Sequence, residues 1–84
     1  MDKRERFGKN LRRARQAKGL SQEELGFRSG LHPTAVSKHE LGEREPRLGT
    51  IVKLASALKV STETLCAGIE WSQEKQRFLI GRRP

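Results

Sequence analysis

The chain has 84 residues, with 18 Lys/Arg against 10 Asp/Glu and a formal net charge of +8, so it is at most one small domain with a thin core and a preference for polyanionic partners. No apolar run approaches the roughly 18 residues of a membrane span, and the opening "MDKRERFGKN" lacks the apolar stretch of a secretory signal, which makes the cytoplasm the default location. Cys66 is the one cysteine, so no internal disulfide can form, and no metal-ligand spacing occurs.

Helix signals repeat along the chain and strand alternation is nearly absent. In "RERFGKNLRRARQAKGL", Phe7, Leu11 and Ala14 fall on one helical face, and Gly19 ends the segment as a left-handed cap followed by apolar Leu20. Most of the positive excess lies here: residues 1–20 hold Lys3, Arg4, Arg6, Lys9, Arg12, Arg13, Arg15 and Lys18 against Asp2 and Glu5. Ser21 and Glu24 then write a capping box, with Leu20 and Leu25 as a hydrophobic staple, and Gly30 closes that second helix. A third helix opens with Pro33 in its first turn, although His32 is a poor cap. At helical spacing Ala35, Val36 and His39 point inward, while Pro33, Thr34, Ser37, Lys38 and Leu41 cover the outer face.

After Gly42 the loop "EREPR" leads to a fourth helix, in which Leu48, Ile51, Val52, Ala55 and Leu58 are expected to form the apolar face. Ser61 with Val60 and Leu65 repeats the cap and staple for a fifth helix, ended by Gly68. The last stretch, "IEWSQEKQRFLIGRRP", is too apolar for a purely solvated tail. Its "RFLIG" is open to more than one reading: a short strand, unstable alone, that pairs with a second copy or packs on the helices, or a disordered end.

Two helices joined by three or four residues containing Gly have helix-turn-helix geometry. In that arrangement the second helix enters the major groove of DNA and needs an apolar inner face with small polar or basic outer side chains. Thr34, Ser37 and Lys38 meet that demand, and no acid precedes Glu40 on this helix.

"GLSQEEL", "AVSKHELGEREP" and "IVKLASALKVS", three segments in register, resemble the phage-repressor-type (Cro and lambda-repressor-like, XRE-type) helix-turn-helix family over Phe7 to about Gly68. The resemblance implies an all-α, compact five-helix lambda-repressor-like DNA-binding domain at 5–68, with its motif at about 21–40. Residues 69–84 form a short C-terminal extension available for dimerisation or a partner. It implies a sequence-specific transcriptional regulator, a repressor, bound to double-stranded DNA as a homodimer and without a cofactor. Base edges fall to Pro33, Thr34, Ser37 and Lys38, and phosphates to Gln22, Arg44 and Arg47. Arg15 and Glu40 correspond to an internal salt bridge. Pro33 departs from the Gln or Arg common at its position, which removes a bidentate adenine contact.

His39 stands where relatives carry Ile or Leu, and reads as a hydrogen-bonded, partly buried histidine with weak pH dependence. No catalytic or metal constellation is present: His32 and His39 lie on different faces, and no Ser or Cys has both a base and a group to orient that base. An antitoxin, a restriction–modification controller and a non-DNA-binding adaptor are the alternatives on this domain.

Overall fold

Asp2 opens the first helix. Its carboxylate accepts the Glu5 N–H at 2.9 Å, and the Glu5 carboxylate accepts the Asp2 N–H at 2.8 Å. This reciprocal cap starts α1 (Lys3–Ala17) in the computed structural model, which describes residues 1–81. The helix ends as expected at Gly19, left-handed at φ 70°, whose N–H bonds the Gln16 carbonyl while Leu20 N–H bonds that of Arg15. Ser21 and Glu24 cap α2 (Gln22–Ser29) reciprocally at 3.0 and 2.8 Å. Gly30, left-handed at φ 73°, then turns the chain into α3 (Pro33–Glu40). His32 caps α3 after all: its ring Nδ1 takes the place of a side-chain oxygen and accepts the Thr34 N–H at 3.1 Å.

α4 (Leu48–Leu58) is rotated from its expected setting. It buries Leu54, Ala55 and Leu58, with Ile51 packed beside them, whereas Leu48 is 79% exposed and Val52 half exposed. At about 100° per residue these four core residues share one narrow stripe, and Leu48 and Val52 fall off its edge. α5 (Thr62–Leu65) is a single turn capped by Ser61, and it stops three residues before Gly68. Gly68 instead feeds a strand, β1 (Ile69–Ser72), which pairs antiparallel with β2 (Arg77–Ile80). "RFLIG" therefore finds its partner in the preceding "IEWS". Ile69 stands opposite Ile80 and Trp71 opposite Phe78, and Gly81 N–H closes the base on the Gly68 carbonyl at 2.7 Å. The expected extension is thus a hairpin through Ile80, and residues 82–84 of it lie outside the described residues.

Phe7, Leu11, Leu25, Val36, Leu54, Leu58 and Leu65 form the core. Each such side chain contributes about 1.5–3 kcal/mol on burial. Two glycines set how closely the helices approach. A Cβ at Gly8 would lie 2.5 Å from the carbonyl oxygens of both His39 and Glu40, so α1 meets the end of α3 backbone to backbone. A Cβ at Gly26 would lie 2.6 Å from the Leu31 oxygen, so α2 meets the turn into α3 in the same way. Asn10 fastens the other end: its buried amide donates to the carbonyls of Leu65 and Ala67 at 2.8 and 2.9 Å, tying α1 to the exit of α5.

Candidate nucleic-acid interface

Glu40, the last residue of α3, is the node that fixes this helix against the other two. Arg15 Nε donates to its Oε2 at 2.6 Å and Arg15 Nη2 to its Oε1 at 3.0 Å, a two-pronged pair with the Glu40 side chain 3% and the Arg15 side chain 11% exposed. Arg15 Nη1 also donates to the Leu20 carbonyl at 2.8 Å, in the turn between α1 and α2. The Arg15–Glu40 bridge thus links α1 to α3. Gln22, at the head of α2, donates to Glu40 Oε1 at 3.0 Å. A primary amide has two N–H donors; one is committed to Glu40, and a phosphate contact would use the other.

With α3 held from behind, its outer face is set by helical spacing. Thr34 is exposed at its N-terminal end, and Pro33, Ser37 and Lys38 are half-buried beside it. Val36 and His39 are buried on the opposite side. Lys38 Nζ lies 3.9 Å from the Glu43 carboxylate. Glu43 is brought there by the end of α3, where Gly42 at φ 75° bonds His39 and Glu43 N–H bonds the Lys38 carbonyl.

Arg44 and Arg47 stand exposed in the following loop, and among the described residues neither guanidinium has a hydrogen bond or ion pair. Arg47 is also the N-cap of α4, and it makes no side-chain cap bond. The first N–H groups of α4 are therefore open to an anion. Behind the loop, His39 Nδ1 donates to the Arg44 carbonyl at 3.3 Å, and its ring meets Phe7 edge-on at 6.4 Å. Burial holds the His39 pKa below its ordinary 6.5, and the Arg44 charge lowers it further, against a raising effect of that hydrogen bond.

All the residues expected to face DNA except Gln22 lie on α3 and the loop that follows it, and Gln22 adjoins them through Glu40. Spacing alone missed the ties behind them: the Glu43 neighbour of Lys38, the Gln22 bond, and an ion pair between Lys3 and Glu45. A Glu within five residues of Lys38 was the only legible hint. Phe27 projects from α2 at 89% exposure and joins no cluster. Burial pushes the Cys66 thiol pKa up, which disfavours a nucleophilic thiolate. Among the described residues no group of three His, Cys, Asp or Glu could hold a metal ion, and no helix is long and apolar enough to cross a membrane.

Residues 11–65 match the family model described as helix-turn-helix. The chain is 46% identical over 61 residues to the HTH-type transcriptional regulator y4dJ of Sinorhizobium fredii, covering 73% of this chain and 79% of that one. Other curated relatives are longer: the chain spans 57, 53 and 45% of three HTH-type regulators from Bacillus subtilis. Among solved structures, the restriction-modification controller protein C.AhdI from Aeromonas hydrophila superposes with a TM-score of 0.72 at 47% identity, covering 74% of this chain and 94% of that one. The P22 c2 repressor, in complex with a synthetic operator, superposes with a TM-score of 0.69 at 31% identity, with the same two coverages.

Proposed function

This chain belongs to the phage-repressor-type helix-turn-helix family, and on that premise we propose that it is a sequence-specific DNA-binding transcriptional regulator, a repressor acting in the cytoplasm. α3 enters the major groove and presents Pro33, Thr34, Ser37 and Lys38 to base edges. Lys38 donates to guanine, and the Thr34 methyl and hydroxyl meet thymine or a polar edge. Gln22, Arg44 and Arg47 bind phosphates, which fix position without reading sequence. The observation that carries this reading is the pair of exposed guanidiniums of Arg44 and Arg47, unpartnered among the described residues, directly after a helix whose outer face is small and polar. The protein works by binding and not by catalysis.

Two copies bind two half-sites about 34 Å apart, one turn of the duplex. Pairing falls to the hairpin, where the Trp71 and Phe78 rings meet edge-on at 5.1 Å with 51 and 47% of each residue exposed. Leu48 and Val52, exposed together on α4, are a competing apolar surface. Light scattering decides: Trp71→Ser yields a monomer and Val52→Ser leaves the dimer intact if the hairpin pairs the copies. The reverse pattern moves the interface to α4.

Control of restriction–modification genes is a narrower form of this function, favoured by the similarity to C.AhdI across nearly all of that chain. Selection of bound duplexes from a random pool tests the whole proposal. Enrichment of a two-fold symmetric sequence supports it, and an unenriched pool refutes it.

A further inference from the structure

The loop after α3 alternates acids and bases: Glu43, Arg44, Glu45, Arg47. A carboxylate beside two phosphate-seeking guanidiniums repels the same polyanion that they attract. Both acids are nevertheless engaged from outside the loop. Glu43 faces Lys38, and Glu45 is ion-paired with Lys3 at the start of α1. The Lys3 ammonium also lies 5.2 Å from the centroid of the Phe78 ring, on β2. Lys3, Glu45, Pro46 and Phe78 line one groove, so the N-terminal helix, the loop and the hairpin meet at this lysine. The two guanidiniums of the loop stay unpaired among the described residues.

We propose that Lys3 is a positioning residue for duplex binding: it draws the Glu45 carboxylate toward α1 and the hairpin, and so keeps negative charge off the edge that Arg44 and Arg47 present to phosphate. This rests on the preceding proposal that the loop faces DNA. Lys3 and Glu45 side chains are 33 and 58% exposed, and ion pairs so open to water add little to folding. The effect therefore belongs to binding and not to the melting temperature.

The experiment is a mutant cycle on the intact chain, with mixed-sequence duplex DNA at low salt as the probe, since phosphate contacts are independent of sequence. Lys3→Met is expected to weaken binding about three- to tenfold, within the range of coupled neighbours. Lys3→Arg retains parental affinity. Glu45→Gln binds as tightly as the parent or more tightly, and in the Glu45→Gln background Lys3→Met has no further effect. Equal loss on Lys3→Met in both backgrounds overturns the proposal, because Lys3 then acts as a phosphate contact in its own right. Weaker binding by Glu45→Gln alone also overturns it. A parent that does not hold the duplex overturns the DNA-binding reading itself, which is a different result from a parent that binds with additive mutants.

Discussion

The Arg15 guanidinium clasps the Glu40 carboxylate through two bonds of 2.6 and 3.0 Å, buried between the first and third helices. Removing one partner strands a charge without water. Arg15→Ala or Glu40→Ala is expected to lower stability by about 3–5 kcal/mol, whereas an apolar replacement of both recovers much of it. Urea denaturation of the two single mutants and of Arg15→Leu/Glu40→Leu measures this. A double-mutant loss equal to the sum of the two single losses would contradict the clasp.

Gly8→Ala tests the backbone approach of α1 to α3. Alanine is the better helix former by about 1 kcal/mol, yet its Cβ would meet two carbonyl oxygens at 2.5 Å. Overpacking wins, with a net loss of about 1–3 kcal/mol, seen as a lower melting temperature. Gly49→Ala is the control, because a Cβ there meets nothing within 4 Å. Parental stability in Gly8→Ala would refute the close approach.

His39 gives stability a pH dependence of definite sign. Its pKa in the folded chain lies below 6.5 because the ring is buried, so the unfolded chain takes up the proton first. Stability is complete above about 6.5 and declines as the pH falls below that value. The denaturation midpoint at about pH 5 should lie below that at about pH 7.5, and His39→Leu should narrow the gap. A gap unchanged in the mutant would assign the effect to other groups.

Lys38→Ala and Arg47→Ala should separate reading from anchoring. The first is expected to cost about 1–3 kcal/mol on the selected operator and to relax preference at one base pair. The second weakens all sequences alike and reduces the salt slope by about one. Binding isotherms on specific and random duplexes at several salt concentrations compare them. Glu43→Gln should strengthen binding slightly, since it frees Lys38 from a carboxylate 3.9 Å away.

Legibility in the sequence followed the range of the forces at work. The Ser21–Glu24 box, the Gly19 and Gly30 stops, and the inward Val36 and His39 depend on neighbours within a turn or two, and all were readable from spacing. The setting of α4 was not, because its composition offers apolar residues on more than one side and only packing against the other helices selects Leu54 over Leu48. Nor was β1, whose Glu70 and Ser72 dilute the strand signal until Phe78 and Ile80 lie opposite Trp71 and Ile69. At the interface the outer face of α3 followed from periodicity. The pairing of Glu45 with Lys3 across 42 residues had no local signature.

Asn10 binds carbonyls at the exit of α5 from 55 residues away. Such a bond forms only after a long loop has closed, which makes the docking of this region a late event in folding. α5 and the hairpin beyond it are one turn and two four-residue strands, too short to persist alone. Opening at Asn10 therefore releases residues 61–81 together, and their amide protons should exchange with solvent as one cooperative unit ahead of those in α1 to α4.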